Sequence, residues 1–569
     1  MSTVETPRDD GFVDGSPAAA RLRATLSAVE VVLAAFAVLG AGIFIATLTL
    51  GRTALFWPSA AWVLVAAGTV GVGTAAWWLA IRVVRGTGWG RYGAAGRPLL
   101  ALLPAALAGL AVYFDDASNH MATVYLPAKQ SLLAYAAVLF VAGQVSYWLT
   151  DLFRRRAGAS RPVLAGALPP VLLGVALAIY LNASVYAQWL PSQIDLGVNL
   201  GGARQLLAGE TPYHDAMPVW ANRVHLLPAT LVLLFGPLAV LPDQAARLAF
   251  FLGNQVLWLL AMWLLVRQLA PEEQRPLWLA AALVFGATYW PWQESIRFGQ
   301  QDGLLTLLFV LSITAAARAR DVVAGIALGL ALIVKPLSIW LPLIYLIHGR
   351  WRALVVAGAT GATLALATLP LTGWEPWWHF FRVEVPAMLP GTVRGTNIPL
   401  PSLHARLFVG RESLDDGGPA PSLAVISALN LAANILGLLL VARLALLRFG
   451  PGGTTGRRWA WLLDASMGLT LTLLLAPMAW QHYASWLSIA FFVLALPEVW
   501  GPLSAAARAG SGALAGAAFL FLSLEDGQLL RLLLPVVERW PGALAFYSAG
   551  LLCITGALAI ARLAGSRAE

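Results

Sequence analysis

The sequence predicts an all-α polytopic membrane protein: a transmembrane helix bundle with juxtamembrane helices on its outer face. Three observations predict it. Of 569 residues, 59% are hydrophobic and only 11% are charged, a balance foreign to soluble domains of this length. The apolar residues form continuous runs and do not alternate, which excludes an outer-membrane barrel. Arginines collect in alternate connections between the runs, as cytoplasmic loops of membrane proteins do. The formal charge of +9 is therefore read as membrane topology, with no nucleic-acid partner.

Taken in order, the apolar runs predict spans at about 27–50, 59–81, 98–114, 131–150, 163–186, 246–266, 277–292, 303–317, 322–334, 336–347, 353–370, 424–447, 459–479, 482–497, 511–523 and 543–562. Each is judged against the roughly 20 residues that cross a bilayer; 322–347 also reads as one kinked span. Residues 1–26 form a polar tail without a signal-peptide pattern, so the first span is expected to stay as an anchor. Residues 27–160 read as an added four-helix module. Residues 161–500 read as the functional module, with outer loops 187–245 and 371–423, and 501–569 as C-terminal helices with a short tail. The segment His225–Pro242 is apolar but broken by Pro228, Pro237 and Pro242. Counting it as a crossing spoils the arginine alternation, so it is expected to skim the membrane on the outer side.

The alternation rests on Arg21 and Arg23, Arg82 to Arg97, Arg154 to Arg161, Arg267 and Arg275, Arg318 and Arg320, Arg350 and Arg352, and Arg443 to Arg458. Both termini then lie inside. The remaining connections lie outside and hold a surplus of cations, for which an anionic substrate is one reason. Cys553 is the single cysteine and sits in an apolar run, so neither a disulfide nor a Cys-based metal site is expected.

Polar residues converge on that outer side. They include Asp195, shortly after the run 163–186; Arg204 and His214; Gln300-Gln301-Asp302; Lys335-Pro336; Arg382, Arg394, Asn397 and Arg406 in the long loop; and Trp480-Gln-His-Tyr483. A carboxylate just outside the lipid often belongs to a site, yet Asp195 equally fits the N-cap of a helix starting near Leu196. Gln300–Asp302 fits a turn and cap before the next span. Lys335 is one of two lysines in a chain that otherwise uses Arg. The break it makes with Pro336 exposes backbone at membrane depth, which favours a site over a snorkelling side chain. His482 alone reads as an interfacial belt residue beside Trp480 and Trp486, and Trp374–Phe381 reads as an interfacial helix.

Together these marks resemble glycosyltransferase family 87, polyprenyl-phosphate-sugar-dependent enzymes that include mannosyltransferases acting on phosphatidylinositol mannosides. The resemblance is carried by Asp195 with Ala203, Gly209 and Pro212-Tyr213; Pro228, Gly236-Pro237-Leu238 and Leu241-Pro242; and Gly299-Gln300 before an apolar helix. It continues through Lys335-Pro336 with Arg350-Trp351-Arg352; Asn397, Ser402-Leu403 and Arg406; and Pro477, Trp480 and His482. It covers about 163–497. Leu226-Leu-Pro-Ala229 stands where the family commonly has a Tyr-Pro-Pro-like element, and Asp302 where it commonly has Asn.

The resemblance implies a GT-C-like bundle and an inverting transfer of a sugar, mannose foremost, from a polyprenyl phosphate to a lipid or cell-envelope glycan on the outer face of the plasma membrane. It implies Asp195 as general base, His482 as orienting residue, Lys335 and Arg406 as phosphate ligands, and Tyr213, Gln300, Asp302, Asn397 and Trp480 as substrate contacts, with neither metal nor cofactor. A phosphate leaving group needs no protonating acid, and cations can stabilise it. Two rivals stand beside this reading. An O-antigen-type polymerase or ligase would use paired arginines in one large outer loop. A lipid or solute transporter would spread charge at the midplane and often show a repeat.

Overall fold

The structure is a computed structural model that describes residues 193–213, 224–336, 339–394, 396–409, 420–447, 453–523 and 546–566, together with Ala176, Tyr180 and Ser184. The expected module 27–160, the polar tail and His214 lie outside the described residues. The chain divides into units Met1–Tyr186 and Ala187–Glu569, and the helices below belong to the second.

Helix α1 (Ile194–Leu207) precedes α2 (Pro228–Ala239), which contains a π-helical turn at Leu231–Phe235. Then come α3 (Asp243–Leu269), α4 (Arg275–Thr288), α5 (Trp290–Phe298), α6 (Asp302–Ala316), α7 (Asp321–Val334), α8 (Trp340–Ile347) and α9 (Trp351–Thr372). Helix α10 (375–388) again carries a π-helical turn, at Phe380–Glu384. The chain continues through α11 (Leu400–Arg406), α12 (Ala424–Ala445) and α13 (Gly453–Leu475). A 3-10 segment, Gln481–Leu487, leads into α14 (Ser488–Ala495), followed by α15 (Ala505–Ser523) and α16 (Phe546–Gly565). Among the described residues the only β pairing is an isolated bridge between Asn397 and Trp480, so the all-α expectation holds.

Five described helices, α3, α9, α12, α15 and α16, are long and apolar enough to cross a membrane, and α2, α4, α6 and α7 are shorter apolar helices. The expected span 277–292 is cut at Tyr289, which is extended and followed by Trp290-Pro291. The run expected at 336–347 is helical only from Trp340. Helix α10 leaves Phe381 and Trp378 exposed, with Trp374 just before it, which suits aromatic side chains at a membrane interface.

Close packing explains where α7 sits. A Cβ at Gly325 would lie 2.4 Å from the Ala353 carbonyl oxygen, and one at Gly329 would lie 2.5 Å from that of Ala357. Only glycine lets α7 and α9 approach so far, the small-residue contact that membrane helices use. At the other end of α7, Pro336 forces its predecessor out of the helix, and Lys335 is extended. Thr230 Oγ1 donates to the Ile333 carbonyl at 2.5 Å, satisfying backbone near the break. The sequence thus stops α7 where a charged side chain is wanted.

Candidate active site

The 187–569 unit contains a cavity of about 470 Å³. Its polar lining includes Asp195, Glu294, Gln300, Lys335, Arg394 and His482. Apolar side chains such as Val198, Met388 and Leu389 complete it, so it is amphipathic.

Asp195 lies in the first turn of α1 and is not its cap. The cap position is Gln193, which makes no side-chain cap bond. That corrects the capping alternative and leaves the carboxylate for other work. Gln193 has φ +20°, outside the usual regions for a side-chain-bearing residue. Its N–H donates to the Arg297 carbonyl at 2.8 Å, and Arg247 Nη1 donates to its carbonyl at 3.3 Å. The start of α1 is thereby fastened to the end of α5.

Gln300 Nε2 donates to Asp195 Oδ2 at 2.5 Å. The turn that brings it there depends on Gly299, in the left-handed region at φ +71°. A Cβ at 299 would also meet the Leu196 Cβ at 2.6 Å, so glycine is required by conformation and by space. Asn254 of α3 clasps the same turn. Its Nδ2 donates to the Gln300 carbonyl at 2.9 Å, and its Oδ1 accepts from the Gly303 N–H at 2.9 Å. Gln301 precedes α6 without making a side-chain cap bond, so the expected cap at 300–302 is not formed.

Lys335 is 6% exposed and does not snorkel. Its Nζ donates to Gln300 Oε1 at 3.4 Å, lies 3.9 Å from Asp302 Oδ1, and sits 3.3 Å from the centroid of the Tyr483 ring. Asp302 is fully buried and accepts from Trp486 Nε1 at 3.1 Å. Tyr483 stacks on Trp486 at 5.4 Å. The ammonium is thus held by an amide, a carboxylate and an aromatic face, the partners a buried cation needs. His482 is 4% exposed, and its Nε2 has no hydrogen-bond partner among the described residues. Burial of that kind is not what a belt residue shows.

Burial raises the Asp195 carboxyl above its ordinary value. The Gln300 hydrogen bond and the Lys335 and Arg394 charges pull it down, while Asp302 pushes it up. A carboxylate balanced in this way is suited to accepting a proton.

The structure brings Asp195, Gln300, Lys335, Trp480 and His482 around one cavity, with Asp302 against Lys335. Tyr213 is elsewhere: it is buried, donates its hydroxyl to the Leu226 carbonyl at 2.7 Å and stacks on His379. Asn397 staples backbone, donating to the Thr392 carbonyl and to Ser402 Oγ and accepting from the Ala479 N–H at 2.8 Å. Arg406 is 1% exposed and donates to the carbonyls of Arg394 and Asn397 at 3.1 and 2.8 Å. These three shape the walls and do not line the cavity.

Polar lining residues given no site role from the sequence include His225, Glu294, Arg394 and Tyr483. Arg394 packs over Trp480 at 5.9 Å and is the exposed cation of the cavity wall. Asn254 was also missed, although a polar Asn-Gln pair inside an apolar span is itself a signal. Among the described residues no group of three or more His, Cys, Asp or Glu side chains is placed to hold a metal ion.

Comparison with known proteins bears on what such a cavity does. Residues 226–450 match the model of glycosyltransferase family 87. That segment belongs to glycosyltransferase family 87. It runs from the cavity residue Leu226 through α12 and contains Gln300, Lys335 and Arg394, while Asp195, Trp480 and His482 lie outside it. Over 350 residues the chain is 27% identical to the polyprenol-phosphate-mannose-dependent alpha-(1-2)-phosphatidylinositol mannoside mannosyltransferase of Mycobacterium tuberculosis H37Rv, covering 57% of this chain and 75% of that one. It is 31% identical over 161 residues to the alpha-(1->3)-arabinofuranosyltransferase of M. tuberculosis CDC 1551, covering 28% of this chain and 37% of that one. No solved structure matches. The protein is a membrane glycosyltransferase.

Proposed function

We propose that this family 87 glycosyltransferase moves a sugar, mannose foremost, from a polyprenyl phosphate to a lipid or cell-envelope glycan on the outer face of the plasma membrane. The observation that carries the reading is a cavity in which a half-buried carboxylate, Asp195, meets the cations Lys335 and Arg394. Asp195 Oδ1 has no protein partner among the described residues, because only Oδ2 is taken by Gln300. That oxygen accepts the proton of the acceptor hydroxyl as the hydroxyl oxygen bonds to the anomeric carbon. The bond from that carbon to phosphate oxygen breaks on the opposite side, so the configuration inverts. The polyprenyl phosphate leaves with the electron pair, held by Lys335, Arg394 and His482. Trp480, with Arg394 over its ring, offers a sugar an aromatic face.

The test is transfer of label from polyprenyl-phosphate-mannose to membrane lipids by membranes containing the protein. The relationship to an arabinofuranosyltransferase favours lipid-linked arabinofuranose as the second donor to assay. Absence of transfer from either donor, with uptake of an intact lipid or solute instead, would establish the transporter reading. Orientation is tested separately, with Cys553 replaced. Cysteines introduced near Asp195 and Arg394 should react with an impermeant reagent from outside, and those near Arg155 and Arg457 only after permeabilisation. Reversed labelling would turn the site to the cytoplasm.

A further inference from the structure

We propose that Gln300 is a positioning residue: it aims Asp195 at the acceptor and keeps it ionised, acting as the link between that carboxylate and the buried pair Lys335–Asp302. This rests on the reading of Asp195 as general base. The geometry is a chain of four groups. Asp302 Oδ1 faces Lys335 Nζ at 3.9 Å, Lys335 donates to Gln300 Oε1 at 3.4 Å, and Gln300 Nε2 donates to Asp195 Oδ2 at 2.5 Å. A carboxamide has one acceptor end and one donor end. The ammonium can only donate, so it fixes the acceptor end toward itself and the amino end toward Asp195. The flip of the amide is thereby determined, and its amino end occupies one of the two Asp195 oxygens. Oδ1 is left for the substrate.

The backbone of residue 300 is secured independently of its side chain. Its N–H donates to the Ser295 carbonyl at 2.9 Å, and its carbonyl accepts from Asn254. Asp302 is anchored by Trp486, and Lys335 by the Tyr483 ring. A change at 300 therefore removes the link without removing the turn. The charged groups acting on Asp195 are Lys335, Asp302 and Arg394. Glu294, His225 and His482 share the cavity, and Arg247 approaches from α3 through the Gln193 carbonyl. Of these surroundings, the Gln300 hydrogen bond is the largest influence that lowers the Asp195 carboxyl. Its loss moves protonation of Asp195 to higher pH.

The experiment is the pH profile of transfer by full-length protein in membranes, for Gln300→Leu, Gln300→Glu and Asp195→Asn. Gln300→Leu should lower kcat by about 10- to 100-fold, the scale of one hydrogen bond to a charged group, with donor KM within about twofold. Its acidic limb should move to higher pH. Gln300→Glu keeps the shape but sets a second carboxyl against the first, so the pair shares a proton and the limb should move further, with partial recovery at high pH. An inactive Asp195→Asn beside Gln300 variants whose limb stays in place would overturn the proposal and leave the base intact. A change in donor KM with an unmoved limb would overturn it too, because Gln300 would then touch substrate. An active Asp195→Asn would instead remove the base reading itself. Thermal unfolding of detergent-solubilised protein reports folding; should Gln300→Leu fail to fold, the isosteric Gln300→Glu carries the test.

Discussion

Two buried ion clusters in the same helical unit are built in opposite ways. One joins Asp464 of α13, Arg562 of α16 and His348 after α8. Arg562 Nε donates to Asp464 Oδ1 at 3.0 Å and Nη2 to Oδ2 at 3.4 Å, while His348 Nε2 lies 3.0 Å from Oδ2. Nη2 also reaches the carbonyls of Leu444 and Leu447 at 3.0 and 2.7 Å, closing the end of α12. Both carboxylate oxygens are engaged, and every contact ties one helix to another. The cavity cluster is open. Asp195 spends one oxygen on Gln300 and offers the other; Lys335 is held at longer range; His482 Nε2 is unpaired. A closed network fixes structure. An open one keeps binding capacity for something that arrives.

The sharpest way to break this contrast is to delete the acid in the open cluster. Asp195→Asn keeps the shape and removes the base, so transfer should fall about 10²- to 10⁴-fold, with donor binding and thermal unfolding nearly unchanged. Near-normal turnover would make Asp195 a structural residue and dissolve the distinction. In the closed cluster the sign of the effect reverses. Arg562→Leu leaves Asp464 buried without its cation, a loss of about 3–5 kcal/mol, while turnover per folded molecule should persist. Thermal unfolding in detergent reads the first quantity and active-site titration the second. A stable Arg562→Leu protein with no turnover would put that cluster in the chemistry.

Lys335 stands between the two types, being both a counter-charge and a cavity wall. A contact with phosphate is worth about 1.5–3 kcal/mol, so Lys335→Met should weaken donor use by roughly 10- to 100-fold with little change in acceptor KM. Lys335→Arg should rescue in part, since the forked guanidinium is larger than the ammonium that sits 3.3 Å over the Tyr483 ring. A defect confined to the acceptor would move the phosphate to Arg394. The pH profile offers a smaller effect from the wild-type protein. Burial raises the Asp195 carboxyl, so as pH falls the base is protonated earlier than an ordinary carboxylate, at about 3.9, would be. The acidic limb of kcat/KM should therefore lie above that value. A limb at or below it would mean that the Gln300, Lys335 and Arg394 contributions outweigh burial.

What was legible in the sequence follows the same divide. Asp195, Gln300, Lys335 and His482 stood out because each interrupts or borders an apolar run, and the structure sets all four on one cavity. Asn397 and Arg406 stood out for the same reason, yet Asn397 is turned to the Thr392 carbonyl, Ser402 Oγ and the Ala479 N–H, and Arg406 Nη1 to the carbonyls of Arg394 and Asn397. A polar residue in an outer loop does not announce whether it will bind a ligand or its own chain. The start of α1 was misplaced by two residues, enough to leave the capping of Asp195 undecided, because apolar periodicity marks a face and not an end. The seating of Lys335 on Tyr483 was out of reach, since nothing local in either segment encodes their meeting.

The smallest expected effect belongs to His482. Its ring lies 4.7 Å from Tyr483 and 5.9 Å from Phe298, edge-on to the first, so much of its contact is aromatic packing. Its unpaired Nε2 is the part that packing does not explain. Buried polar atoms normally find a partner, and a substrate phosphate or hydroxyl is the partner available in this cavity. A neutral hydrogen bond is worth about 0.5–1.5 kcal/mol, which predicts that His482→Ala lowers turnover about 3- to 10-fold. Packing loss contributes to that figure, so His482→Phe is the deciding variant: it restores an aromatic ring and not the nitrogen. Turnover should stay reduced in His482→Phe while thermal stability returns to the wild-type value. Full activity in His482→Phe would return the residue to the aromatic wall and leave Arg394 and Lys335 to hold the phosphate alone.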